Sequence, residues 1–338
     1  AVITVNEEIN EPTIAYEKQW SSTGHAFVPA DYEDRIVDLE ERTDKLFASD
    51  SNIPTYITEE ARRVADIVKE KQTVGSLTFT AMSDMHIRTN DSYWADNLTS
   101  CRDAGFGLTE LQKFLRLDCA VLLGDYTVGG ANDTIAQIKK DLTTVRNYMA
   151  NGTKAIPTIW CTGNHDINYG ENTDRRMTED EMYAYVTSNN AGTVQDGDNI
   201  GRNYGFVDFE NQKIRFIYLN TVDSLDYPDN IGTADDAQEI TAVQTRWLAD
   251  IGLNLNDKTN PTDWGVILLS HHCLSQFQHI TAVLTAYKNG ASGSVDVTAN
   301  GVKTTVNYNF NSATCGEIIC AFHGHDHNFT CRKISTER

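Results

Sequence analysis

Basic residues are scarce in this chain: 28 Lys and Arg stand against 48 Asp and Glu, a net charge of −20. A field of that sign repels polyanions and argues against general nucleic-acid binding, although a local cluster of cations can override it for a small anion. Solubility alone accounts for most of it. Long apolar runs are missing too. Hydrophobic residues make up 40% of the chain, enough for a sizeable core, but no run approaches the ~20 residues that cross a bilayer. Residues 1–8 hold no basic segment followed by an apolar stretch, so they do not read as a signal peptide. The chain opens on Ala1 rather than Met, as a fragment or a processed form would. Paired CxxC spacing is absent as well. Seven cysteines (Cys101, Cys119, Cys161, Cys273, Cys315, Cys320 and Cys331) form an odd set, which fits reduced thiols better than a disulfide framework or a structural zinc site. The default expectation is a soluble cytoplasmic protein. There is no internal repeat and no low-complexity tract.

The 338 residues suffice for one large domain with an appendage. Residues 1–30 are polar with little periodicity. From Asp31 the text becomes charged and helix-like, with Ile36, Leu39, Thr43 and Leu46 at heptad a/d spacing. That pattern is too short for a firm coiled coil and predicts a helix packed on its own domain, with an oligomerising stalk as the other reading. A second helix is expected from Thr58 to about Lys71. Residues 1–72 are therefore read as an N-terminal extension with short helices, a candidate assembly segment, and 73–338 as the main domain.

Beyond residue 73 the texture changes. Apolar β-rich runs at 77–84, 119–125 and 156–164 each end on polar or charged residues, and amphipathic stretches carrying Leu108, Leu111, Phe114 and Leu115, then Ile135, Ile138, Leu142 and Val145, separate them. Alternation of this kind predicts an α/β fold on buried strands. Residues 204–209 and 213–220 read as a hairpin, a helix is expected around 238–251, and further strands at 264–270 and 316–322. Asn300-Gly301 is a hairpin turn.

Seven of the nine histidines cluster at the ends of these strands: His86, His165, His271, His272, His323, His325 and His327. Strand ends are where ligand sites form in open α/β sheets, because the following loops converge there. Singly the motifs are ordinary; Gly124-Asp125 alone is a turn after a strand. Gly163-Asn164-His165-Asp166 is more informative, and His325 and His327 lie on the same side of an extended segment. Carboxylates, imidazoles and one amide gathered at a single edge suit borderline divalent metals such as Mn, Fe, Zn or Ni. Their order leaves little room for chance.

The series Asp84-x-His86, Gly124-Asp125, Gly163-Asn164-His165-Asp166, His271 and Gly324-His325-x-His327 resembles the signature of the calcineurin-like metallophosphoesterase superfamily, over roughly residues 75–330. The resemblance implies a four-layer α/β/β/α sandwich preceded here by the helical extension. It implies dinuclear hydrolysis of phosphoesters by a metal-bound hydroxide, with one cation on Asp84, His86 and His327 and a second on Asn164, His271 and His325. Asp125 would bridge them, since a carboxylate has two oxygens to share. His165 would assist as a hydrogen-bond donor to the phosphoryl group or leaving group, its ring oriented by Asp166 or another carboxylate; a capping role for Asp166 is the alternative. His271 and His272 both follow the strand and alternate in direction, and the resemblance, which places the ligand directly after the strand, favours His271. His323 is expected to be structural or supporting.

Departures from the pattern narrow it. Val128 stands where the purple acid phosphatases carry a Tyr, and Tyr126 is too close in sequence to replace it. The text after Asp125 is Tyr126-Thr127-Val128-Gly129-Gly130 rather than the Asp-Arg-Gly of the protein Ser/Thr phosphatases, and Asp166 replaces their Glu. Both departures favour a phosphodiesterase or nonspecific phosphoesterase branch, with phosphodiesters the favoured substrates and a phosphatase the alternative. Residues 60–66, 83–86, 204–208 and 213–217 are also faintly similar to metallophosphoesterase modules of phage or prophage tail-associated proteins. That similarity implies a cell-surface glycerol-phosphate polymer as substrate and, as the rival function, a structural virion or assembly module with a secondary or inactive phosphoesterase domain. Loops at 87–97, 168–177 and 225–237 would set specificity, with Tyr93, Trp94 and Tyr169 as candidate substrate contacts.

Overall fold

The computed structural model describes the main chain of residues 2–5, 18–20 and 27–29, and residues 53–130, 133–153, 156–168, 176–190, 203–223, 238–299 and 301–327. The expected heptad segment falls outside them, as do Tyr169, Cys331 and most of the loops at 168–177 and 225–237. The elements in chain order are β1 (Val2–Val5), β2 (Lys18–Trp20), β3 (Phe27–Pro29), α1 (Thr55–Lys69), β4 (Leu77–Met82), α2 (Ala95–Leu111), β5 (Cys119–Leu122), α3 (Ile135–Thr153), β6 (Thr158–Trp160) and α4 (Glu179–Tyr185). There follow β7 (Gly205–Phe209), β8 (Ile214–Tyr218), α5 (Ala242–Trp247), β9 (Gly265–Ser270), α6 (Gln278–Asn289), β10 (Ser292–Ala299), β11 (Val302–Asn309) and β12 (Glu317–His323). Two four-stranded sheets, ordered β1-β4-β5-β6 and β12-β9-β8-β7, supply the two β layers of the expected α/β architecture.

The chain divides into two compact units. One comprises Ala1–Thr80, Arg102–Ala120 and Tyr148–Pro157; the other comprises Ala81–Cys101, Val121–Asn147 and Thr158–Arg338. In the first, β1 adds an antiparallel strand to β4, in register from Val2↔Thr80 to Val5↔Leu77. Helix α1 buries the stripe Ile57, Ala61 and Ala65, one residue per turn, as a helix packed on its own domain must. Thr58 Oγ1 donates to Glu110 at 2.9 Å, and the Arg62 guanidinium lies 4.8 Å from the Phe114 ring.

The second unit holds the predicted site. Its sheet is built on β9, whose six residues are all buried, parallel to both β8 and β12. The near-continuous apolar text of β9 is what a central parallel strand requires. Hairpin β7–β8 pairs antiparallel, and β10–β11 pairs around Gly301. Phe206, Ile217, Trp247, Leu268, Ile280 and Val283 form the core of this unit. A buried cation sits beside it. Arg215 donates to both Asp208 oxygens at 2.6 and 2.7 Å and to the carbonyls of Gly252 and Asn254, so its charge is paired and its donors are used. Helix α5 is shorter than the expected 238–251 and passes into a π-helical turn at Leu248–Gly252. Among the described residues no helix is long and apolar enough to cross a membrane, and the six cysteines are free thiols.

Candidate metal centre

Five strands deliver the predicted residues. Asp84 and His86 follow β4, Asp125 follows β5, Asn164, His165 and Asp166 follow β6, His271 follows β9, and His325 and His327 follow β12. The loops after β4 and β5 stay bonded beyond the strands: Leu123 N donates to Met82 O, Asp84 N to Gly124 O, His86 N to Asp125 O and Ile87 N to Tyr126 O, at 2.8–3.1 Å. This zipped backbone is not extended. Eight described non-glycine residues have positive φ, and five of them are predicted ligands: Asp84, His86, Asp125, His325 and His327. A left-handed residue costs about 1–2 kcal/mol, least for Asp, Asn and His, and such strain gathers where the surrounding structure enforces it for a task. Two glycines permit the approach of the segments. A Cβ on Gly163 would overlap the Asp125 carboxylate, and one on Gly324 would overlap the Ser83 hydroxyl.

Ligand-type atoms converge in two separate groups, joined by further sets in which Asp125 meets His86 and His165, and Asp84 and His271. In the first, one atom each of Asp84, His86 and His327 lies within 4.8 Å of the others; the Nε2 atoms of His86 and His327 are 2.9 Å apart, and His327 Nε2 is 3.5 Å from Asp84 Oδ1. In the second, His271 and His325 meet the same criterion together with His272, which the resemblance had placed second to His271. The strand ends at Ser270, so side-chain alternation does not extend to the two bend residues that follow. Asn164, the residue before His165, is fully buried.

Asp125 stands between the groups. Its Oδ1 accepts the His165 main-chain N–H at 3.0 Å. Its Oδ2 faces His271 Nε2 at 3.0 Å and the Nε2 atoms of His86 and His165 at 3.8 Å each. Because Oδ1 is engaged, Oδ2 is the oxygen presented to the cluster, rather than the two oxygens envisaged from sequence. The contact with His271 is off hydrogen-bond geometry, leaving Asp125 Oδ2 and His271 Nε2 buried without a hydrogen-bond partner. Buried polar atoms are normally satisfied, so these two orphaned atoms fit a cation, the His271 nitrogen once it has given up its proton. The rear nitrogens are anchored in the manner of metal-ligating imidazoles: His271 Nδ1 lies 2.8 Å from the Leu123 carbonyl.

His165 and Asp166 divide their work differently from the expectation. His165 Nδ1 hydrogen-bonds the Val128 carbonyl, so a backbone oxygen takes the orienting place expected of a carboxylate. The Asp166 carboxylate is turned to the main chain, accepting N–H bonds from Asp125 and Gly163 on Oδ2 and from Tyr126 and Thr127 on Oδ1, at 2.7–3.2 Å. It is completely buried and clamps the loop that carries Asp125. Tyr126 is buried as well, its hydroxyl against the carbonyls of Cys161 and Leu122, away from any ligand role.

The electrostatics favour cations. Burial opposes ionisation of Asp125, but His271, His165 and His86 hold its carboxyl well below the usual carboxylate range. Burial lowers His86 to about 4 and His272 to about 2, and burial also lowers His325, with His271 reinforcing the last two. Those rings are neutral and offer lone pairs. Burial disfavours the charged ring of His271, yet Asp125 outweighs it and raises the group to about 9. Burial lifts Asp166 to about 7, the adjacent Asp125 adding to it while the main-chain donors oppose it.

Thus nine predicted site residues occupy one edge of one unit, and His272, Thr221, Leu123 and Val128 join them unannounced. The doubled histidine was the only sequence signal for His272; carbonyl anchors leave none. A family model described as calcineurin-like phosphoesterase matches residues 77–329. No curated protein matches the chain.

Proposed function

The chain belongs to the calcineurin-like phosphoesterase family and is a metal-dependent phosphoesterase; from that premise we propose that it hydrolyses phosphodiesters at a dinuclear centre. Asp125 carries the proposal, with one oxygen held by a backbone N–H and the other buried against three imidazoles. Asp84, His86 and His327 would hold one cation, Asn164, His271 and His325 the other, and Asp125 Oδ2 would be shared. A pair of divalent cations (Mn, Fe, Zn or Ni) supplies positive charge for the phosphoryl oxygens and lowers the pKa of water.

The remaining work belongs to protein groups. His165 donates Nδ1–H to the Val128 carbonyl, which fixes the ring with Nε2 toward Asp125. A neutral ring held so can only accept at Nε2; the imidazolium can donate there to a phosphoryl or leaving-group oxygen. Asp166 is assigned a positioning role, holding the Asp125 loop through four N–H groups. Val128 and residues 126–130 lack the features of the tyrosinate-ligated and Asp-Arg-Gly branches, which supports diesters over the substrates of those branches. The exposed Tyr93, edge-on to Trp94 at 5.2 Å, is the described aromatic pair available to a substrate ring. We divide the chain into an extension, 1–72, and a catalytic domain, 73–338, supported by the family match beginning at residue 77.

The test is turnover of aryl phosphomonoesters and phosphodiesters by protein reconstituted with each metal. Asp125→Asn is expected to lose both hydrolysis and more than the ~100-fold in metal affinity that a supporting hydrogen bond is worth. His165→Ala should keep its metals and lose about 10²–10⁴-fold in kcat. Absence of metal-stimulated hydrolysis across the panel would sink the proposal.

A further inference from the structure

We infer that His272 is an additional metal-facing imidazole, so that the second cation position has three histidines, His271, His272 and His325, rather than the two of the family signature. The inference rests on the dinuclear reading above and adds a residue to it.

The main-chain path after β9 carries the argument. Ser270 closes the strand, and its hydroxyl donates to the His272 carbonyl at 2.8 Å, turning the chain so that both rings enter the cluster. The ring centroids of His271 and His272 are 4.9 Å apart and nearly perpendicular; those of His272 and His325 are 4.3 Å apart. His272 is completely buried. Thr221 fixes its rear side: the hydroxyl accepts the His272 main-chain N–H at 3.3 Å and lies 2.7 Å from Nδ1. Nε2 is therefore the nitrogen left for the cluster, and it is buried without a hydrogen-bond partner.

Distances admit a common ion. One nitrogen from each of the three rings lies within 4.8 Å of the others. Two nitrogens bound to zinc at ~2.1 Å stand ~3.4 Å apart in a tetrahedron and at most ~4.2 Å apart. Ring displacements of up to ~0.7 Å each close the gap to the tetrahedral spacing. A ring serving only as support for another ligand would spend a nitrogen on hydrogen bonding to it, and His272 spends its bond on Thr221 instead.

The composition of the two positions then differs. Asp84, His86, His327 and Asp125 form a mixed oxygen and nitrogen set, whereas three imidazoles with Asn164 and the shared Asp125 favour zinc, nickel or iron over manganese. Occupancy should accordingly be selective.

Two measurements on the full chain test this. Protein labelled with 15N-histidine is titrated with Zn²⁺ and the ring nitrogens are followed by NMR. The expected result is that Nε2 of His272 moves to a metal-bound shift together with His271 and His325. A His272 ring that keeps its free shifts while His271 and His325 move overturns the inference and leaves the dinuclear reading standing; no movement of any of these rings overturns both. In calorimetric titrations, His272→Gln should weaken binding of the second zinc by more than ~100-fold while weakening manganese by less than ~10-fold, the lower end of what a supporting contact contributes. Equal weakening of both metals would make His272 a positioning residue and overturn the assignment.

Discussion

The ligands after β4 and β12 and those after β9 are held in place by different means. Asp84, His86 and His327 all adopt left-handed backbone, φ 56°, 43° and 50°, and His327 is 60% exposed at its side chain. His271 and His272 adopt no such backbone, are fully buried, and each anchors its Nδ1 to a carbonyl or hydroxyl. One group is aimed by strained turns at the edge of solvent; the other is aimed by packing. Strain can relax when a ligand leaves, whereas packing cannot relax without loss of the core. The strained group should therefore exchange its cation readily, and the packed group should hold its shape without one.

Stability measurements by urea denaturation of cation-free protein are the sharpest way to break this contrast. Asp166→Asn should have the largest effect, about 4 kcal/mol, because an amide nitrogen would face two main-chain N–H groups and strand both, at ~1–3 kcal/mol each. His271→Ala should cost about 3 kcal/mol through its cavity and the stranded Leu123 carbonyl. His327→Ala should stay within ~0.5 kcal/mol, as exposed substitutions do. Equal losses for His271 and His327 would erase the distinction.

A smaller effect appears in pH dependence. The folded-state value of His271 is raised to about 9, so its contribution to the cation-free fold is complete below the ordinary histidine value of ~6.5 and is lost as pH rises through 9. His86 runs the other way. Burial lowers it to about 4, so its contribution holds above ~6.5 and is lost as pH falls toward 4. Cation uptake at the buried group must expel the His271 proton, and its affinity should rise by up to about tenfold per pH unit until pH 9. Titration calorimetry in buffers of different ionisation enthalpy measures that proton; release of none would contradict the ion-paired His271.

Much of the fold was legible because its signals are local. Strands β4, β5, β6, β9 and β12 are short apolar runs that stop at polar residues, and every predicted ligand follows one of them, although β12, expected to be buried, is half-buried with Glu317 and Ile319 exposed. Helix α4 was overlooked although Thr178 and Glu181 write a complete capping box before it. Helix α6 has a weak sequence signal for a different reason: Ile280, Thr281, Val283 and Thr285 are β-branched and disfavour helix, and burial of Ile280, Val283, Ala286 and Tyr287 on one face overrides that preference. At the site, residue types gave the ligands. The task of Asp166 depends on four main-chain N–H groups, which every sequence contains and none advertises.

The His325 main-chain N–H donates to the Asp84 carboxylate across 241 positions of sequence, and Gly324 packs where a larger residue would strike Ser83. Closing a loop of that length is among the slowest entropic steps a chain of this size faces. The cradle for the exposed cation is therefore among the last parts of the molecule to form. On the ribosome it cannot exist until residue 327 has emerged, which makes acquisition of this cation a late event in the life of the chain.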